Sequence, residues 1–122
     1  MKTKTYVITG STSGIGNALL KRIAEDNIVF AGYRNLNYKE RLERISSNIK
    51  PFYVDYAKPQ SIKPAYEYIK SNTEKIDSLI NIAGCVVAGP IENIEMNATI
   101  PKQNLKNIIY PYFCLILFLI PV

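Results

Sequence analysis

An α/β fold, with a parallel sheet and helices on both of its faces, is predicted by three features of this 122-residue sequence. Short apolar, β-branched runs alternate with amphipathic stretches of about ten residues. The runs are nearly continuous in apolar residues, as strands buried on both faces are. A glycine-rich turn joins the first run to the first amphipathic stretch, as in sheets whose strands feed directly into helices. Right-handed crossovers connect such strands and make them parallel. The length fits one domain with a real core and is small for a complete α/β enzyme.

The elements follow in order. Thr5-Tyr6-Val7-Ile8-Thr9 reads as the first strand. After the turn from Gly10 to Gly16, residues Ile15, Ala18, Leu19, Ile23 and Ala24 recur at helical spacing and predict a helix over 15–25. Asn27 breaks it, and Ile28-Val29-Phe30-Ala31 reads as strand two, ended by Gly32. Tyr38, Leu42 and Ile45 mark one face of a second helix, with Asn35 or Asn37 as its cap. Pro51 precedes a third strand, Phe52-Tyr53-Val54. Ser61 is expected to cap a third helix running to about Asn72, because Pro64 then falls in the first turn. Leu79-Ile80-Asn81-Ile82 reads as strand four, stopped by Ala83-Gly84.

Composition excludes several chemistries. The 48% of hydrophobic and 20% of charged residues are ordinary for a globular chain. Without histidine there is no Ser-His-Asp triad and no His-ligated zinc site. Two cysteines, Cys85 and Cys114, make no disulfide framework. The net charge of +5 is spread along the chain with acids between many of the bases, so no nucleic-acid surface is expected. A modest positive field still favours an anionic ligand.

The strongest motif is Thr9-Gly10-Ser11-Thr12-Ser13-Gly14-Ile15-Gly16. Glycines let the backbone turn tightly and approach a pyrophosphate. The helix that follows aims unpaired N–H groups and its positive end at the anion. Ser11, Thr12 and Ser13 offer hydroxyls, and Gly16 lets the helix pack closely on the strand. Arg34, just after the second strand, occupies the position beside an adenosine ribose in a dinucleotide fold. An acid there favours NAD and an arginine pairs with a 2′-phosphate; no acid follows Arg34 before Glu40. Asp55 ends the third strand, where an Asx-turn is one role open to it.

The turn resembles the TGxxxGIG fingerprint of the short-chain dehydrogenase/reductase family, and every fixed position is met. Asp77 to Gly84 is similar to that family's NNAG segment, with Ile82 in place of the second asparagine. Gly89-Pro90-Ile91-Glu92 resembles the segment that follows it. The likeness is close over residues 3 to about 92 and loose up to 120. It implies a truncated Rossmann-like, doubly wound parallel sheet, strands 1–4 in order 3-2-1-4, with an apolar C-terminal helix. It implies one incomplete dinucleotide-binding domain over 1–122, with an apolar tail at 108–122. The cofactor implied is NADP, with NAD as the alternative, held by Gly10, Ser11, Ser13, Gly14, Ile15, Gly16, Arg34, Asp55, Asn81, Ala83 and Gly84. Asp55 would meet the adenine amino group, and Asn81 would steady the buried strand. Asn107 matches an asparagine that in the family helps hold a proton-relay water, the one catalytic position assigned here.

The reaction implied is hydride transfer between NADP(H) and a carbonyl or alcohol. The family's serine, and its tyrosine with a lysine four residues on, follow a fifth strand and have no counterpart here. The expectation is therefore a chain inactive alone, with a non-catalytic nucleotide-binding module acting through a partner as the alternative. Tyr66 and Lys70 share the YxxxK spacing but fall on the helix before strand four, away from the ligand edge. The uncharged run from Ile108 to Val122 is too short to span a bilayer. It is expected to form a helix over 111–119 that exposes apolar surface and favours self-association. A cytoplasmic protein is expected, with a membrane-surface role for the tail as the weaker reading.

Overall fold

The computed structural model describes residues 2–83. The expected helix over 111–119, the tail at 108–122, Gly84 and Asn107 lie outside the described residues. Strands β1 (Thr5–Thr9), β2 (Ile28–Tyr33), β3 (Ile49–Tyr53) and β4 (Ser78–Asn81) form a parallel sheet in the order β3-β2-β1-β4. Helices α1 (Gly14–Ile23), α2 (Lys39–Glu43) and α3 (Ile62–Asn72) make the crossovers. The sheet grows from β1 to β3 in one direction and returns to place β4 on the other side of β1. Crossovers of one hand then put α1 and α2 on one face and α3 on the other. This is the Rossmann-like arrangement.

Successive residues of β1 feed opposite cores. Ile8 packs with Leu20, Ala24 and Leu42 of α1 and α2, while Val7 packs with Phe30, Ala65 and Ile69 on the α3 side. Each fully buried Val, Leu, Ile or Phe side chain among these is worth roughly 1.5–3 kcal/mol. The core stripe of α1 is Gly16, Leu20 and Ala24. Ile15 and Ala18 are exposed, so the apolar stripe predicted from Ile15 is rotated. Leu20, one position beyond Leu19, is the residue that aims inward.

Two strand boundaries differ from those predicted, each for a local reason. Gly32 does not end β2; it lies within it, because the chain needs a narrow residue there. A Cβ on Gly32 would sit 3.1 Å from the Phe52 ring and 3.2 Å from the Ile8 carbonyl oxygen. Pro51 is inside β3 rather than before it. Asn48 and Val54 bond β2 across the ladder, so even-numbered residues of β3 face that strand and odd-numbered Pro51 points its missing N–H away. Since β3 is an edge strand, the loss of that donor costs no ladder bond. Ser61 stands at the N-cap position of α3, as expected, but its side chain makes no capping bond: its hydroxyl accepts from the Asp55 N–H and donates to the Asp55 carbonyl, both at 2.9 Å.

The second helix begins as a 3-10 turn over Leu36–Tyr38. Asn35 is its cap, accepting the Asn37 N–H at 3.0 Å. Leu42 is buried beneath it, with Tyr38 and Ile45 half-buried on the same face, as the spacing predicts.

Candidate functional site

The carboxyl ends of the four strands lie along one edge, and the strand order reverses between β1 and β4. That reversal opens a crevice in folds of this type. Gly10 leaves β1 with φ +72, a conformation that glycine adopts without strain. A Cβ there would also press to 2.6 Å of the Ala83 N–H nitrogen, so the turn and the end of β4 touch backbone to backbone. Thr9 stitches the same junction. Its buried hydroxyl donates to Asn81 Oδ1 and accepts from the Ala83 N–H, each at 3.4 Å.

Each hydroxyl in the turn has a distinct orientation. Ser11 is fully buried and donates to the Ile8 carbonyl at 3.1 Å, while its own N–H reaches the Gly32 carbonyl at 3.3 Å. The residue thus ties the turn to β1 through its hydroxyl and to β2 through its N–H, and the hydroxyl is not turned toward an anion. Ser13 is the N-cap of α1: its oxygen accepts the Gly16 N–H at 3.0 Å and its hydroxyl donates to the Gly10 carbonyl at 2.9 Å. A capping oxygen of this kind is worth about 1 kcal/mol. The amides of Gly14 and Ile15 keep no hydrogen-bond partner among the described residues.

The glycines at 14 and 16 do opposite jobs. A Cβ on Gly16 would overlap the Gly10 carbonyl oxygen and meet Ser13 Oγ at 2.9 Å. A Cβ on Gly14 would meet nothing within 4 Å. One glycine closes the turn on itself; the other leaves open the space where a side chain would stand. Ile15, at 77% exposure, stands beside that space as an uncovered apolar side chain.

Arg34 follows β2, exposed, and has no ion pair among the described residues. Tyr33 before it is buried, and that desolvation, aided by the charge of Glu43, raises its hydroxyl above the usual tyrosine range. Tyr33 is thus a neutral packing residue against Tyr53, with ring centroids 6.1 Å apart. Asp55 makes the Asx-turn anticipated for it, accepting the Ala57 N–H at 2.9 Å. Asn81, expected to be buried, is exposed at the end of β4, paired in register with Thr9.

The edge therefore gathers Asp55, Arg34, the glycine turn, Asn81 and Ala83 in the order of the strands. Tyr66 and Lys70 are on α3, with the ammonium 5.9 Å from the Tyr66 ring centroid. Tyr66 lines a small apolar space of about 20 Å³ between α3 and the sheet.

A family model described as short chain dehydrogenase matches residues 4–109. The chain belongs to that family. A 3-amino-tetrahydro-pyrrolizinone reductase of Xenorhabdus hominickii is 34% identical over 95 residues, which is 75% of this chain and 32% of that protein. The fold resembles an NADPH-bound carbonyl reductase from chicken fatty liver, with a TM-score of 0.83 and 23% identity over 98% of this chain and 48% of that one. It also resembles a 3-ketoacyl-(acyl-carrier-protein) reductase from Brucella melitensis complexed with NADH, with a TM-score of 0.81 and 27% identity over 94% of this chain and 49% of that one. The chain of this short-chain dehydrogenase family member spans about a third to a half of the relatives it matches. Among the described residues no helix is long and apolar enough to cross a membrane, and no cluster of three potential metal ligands occurs.

Sequence reasoning missed the inward turn of Ser11 and the role of Thr9 at the β1–β4 junction. Thr9 carried a signal that could have been used: a threonine at the end of a buried strand needs partners for its hydroxyl.

Proposed function

We propose that this chain binds a nicotinamide dinucleotide along the carboxyl edge of the sheet, NADP(H) in preference to NAD(H), and provides the cofactor half of a hydride-transferring oxidoreductase. The observation that carries this reading is the pair of amides at Gly14 and Ile15, without partners among the described residues, at the start of α1. Such a helix start favours a pyrophosphate by its dipole and its free donors together. The fit is supported by Gly14, where a side chain would take up the space that an approaching phosphate needs.

In this reading Gly10 and Gly16 shape the turn, Ser11 and Ser13 hold it, and Ile15 covers one side of the bound group. Arg34 offers a guanidinium to a 2′-phosphate, and it is not neutralised by any carboxylate among the described residues. Asp55 keeps its adenine-facing role beside its Asx-turn. Asn81, Ala83 and Gly84 complete the cofactor-holding set, and Asn107 helps hold a proton-relay water. When bound, the nicotinamide supplies or accepts the hydride for a carbonyl or alcohol substrate. The relatives named as reductases, and those with NADPH or NADH bound, support this choice of chemistry.

Calorimetric titration of the purified chain with NADPH and with NADH tests the reading. Losing a charge-assisted arginine–phosphate contact costs roughly 1.5–3 kcal/mol. Arg34→Ala is therefore expected to weaken NADPH by about tenfold or more and to leave NADH nearly unchanged. Equal losses for both would remove the NADP preference. A wild-type chain that binds neither would remove the site.

A further inference from the structure

Asp55 is held at three of its four polar groups by the loop that follows it. Its N–H donates to Ser61 Oγ at 2.9 Å, and its carbonyl accepts the Ser61 hydroxyl at 2.9 Å and the Lys58 N–H at 2.8 Å. Its Oδ1 accepts the Ala57 N–H at 2.9 Å. The residue before it, Val54, is tied to β2 by its own N–H, which reaches the Tyr33 carbonyl at 3.0 Å. The fourth group, Oδ2, has no hydrogen bond or ion pair among the described residues.

Ser61 is the residue that makes this possible. A serine at the N-cap position of a helix usually gives its oxygen to a helix amide. Ser61, buried at 8% exposure, gives it to Asp55 instead. A hydroxyl can donate once and accept at the same time, so one side chain holds both the N–H and the carbonyl of a single residue. Those two groups lie on either side of the Asp55 Cα, so holding both fixes the backbone there. The bond from Ala57 then fixes the side chain. The half-buried carboxylate is left with one oxygen spent and one available, in a set direction.

An available carboxylate oxygen can accept a hydrogen bond and cannot donate one. It therefore favours an amino group over an oxo group, provided that it cannot turn away from the wrong one. We propose that Ser61 is a positioning residue that, through Asp55, sets the base selectivity of the dinucleotide site: a 6-amino purine over a 6-oxo purine. This role rests on the cofactor reading above, in which Asp55 faces the adenine. Ser61 itself touches no part of the cofactor; it acts by holding the acceptor in place before the base arrives, which lowers the cost of ordering it on binding.

Titrations of the full chain with NADPH and with the NADPH analogue in which hypoxanthine replaces adenine test the role. The readout is the ratio of the two affinities. A smaller folded fraction weakens both ligands by the same factor and leaves that ratio unchanged, so lost stability alone does not move it. The wild type is expected to favour NADPH about tenfold, as for one hydrogen bond to a charged group. Ser61→Ala, and Ser61→Cys, which nearly keeps the volume of the buried side chain, are each expected to cut that preference to about threefold or less. Ser61→Thr keeps the hydroxyl and is expected to restore it. Asp55→Asn keeps an oxygen for the Ala57 N–H and presents an amide donor in place of Oδ2, so it is expected to reverse the preference. If Asp55→Asn shifts the ratio while Ser61→Ala and Ser61→Cys keep the wild-type value, the positioning role is overturned and the cofactor reading stands. If Asp55→Asn leaves the ratio unchanged as well, Asp55 does not face the base, and both its assignment and the role of Ser61 fall.

Discussion

Two strand-to-helix junctions lie at the same edge of the sheet and use serine in contrasting ways. Between β1 and α1, Ser13 spends its oxygen on one amide of the helix, Gly16, and leaves the Gly14 and Ile15 amides without partners. Between β3 and α3, Ser61 turns back to the Asp55 backbone, and a 3-10 turn over Pro59–Ser61 leads into the helix. There the first amide of α3, Ile62, is already bonded to the Pro59 carbonyl, and Pro64 brings no N–H at all. Both junctions end a parallel strand and start a helix of similar length. The first leaves two amides without partners among the described residues; the second has spent its first amide and has none at Pro64. A helix start becomes a site through what the preceding loop leaves unspent, and here three glycines within seven residues control that.

The largest expected effect breaks the first junction outright. Gly16→Ala drives a Cβ into the Gly10 carbonyl, which belongs to backbone that β4 also holds in place. Urea denaturation is expected to show a loss of about 3 kcal/mol, at the upper end of overpacking costs. A loss under about 1 kcal/mol would mean that the turn yields far more than its contacts suggest.

The second junction should break more gently. Ser61→Ala removes both bonds to Asp55 and leaves a part-buried N–H without its acceptor. The expected destabilisation is about 1–3 kcal/mol by the same measurement. Gly14→Val sharpens the contrast with Gly16→Ala, because its side chain enters open space. Stability is expected to stay within about 0.5 kcal/mol of the wild type, while dinucleotide binding, if the proposed site is right, is lost in calorimetry. Unchanged affinity would make the turn a structural device only.

The smallest effect lies at the opposite edge of the sheet. The contact with the Lys75 ammonium, at 2.8 Å, and the N–H of Thr5 hold the Asp77 carboxyl below its usual range. A carboxyl lowered in the folded state stabilises the fold above its unfolded pKa, and that contribution fades as pH falls through its folded pKa. Asp77→Asn should therefore flatten the acid side of the stability profile, below about pH 4, and hardly alter the glycine-turn junction. A variant that keeps the wild-type acid profile would contradict this assignment.

Much of the fold was legible because it rests on short-range patterns. Apolar runs separated by amphipathic stretches marked four strands and three helices, and crossover handedness made the strands parallel. The glycine turn, Arg34 and Asp55 were likewise readable, since each sits at a strand end, where position alone decides the neighbourhood. What the pattern could not give was orientation within an element. A one-residue rotation separates the predicted stripe through Ile15 from the observed stripe through Leu20, and helical spacing tolerates both.

By itself, then, the sequence determined the alternation of elements, the turn that starts α1 and the absence of histidine chemistry, all properties of composition or of residues close in the chain. The tertiary structure alone decided which hydroxyls were free. Ser11 was drawn inward because β1 and β2 both lie within its reach, Ser61 was taken up by Asp55, and Gly32 and Pro51 were accepted into strands by their particular neighbours.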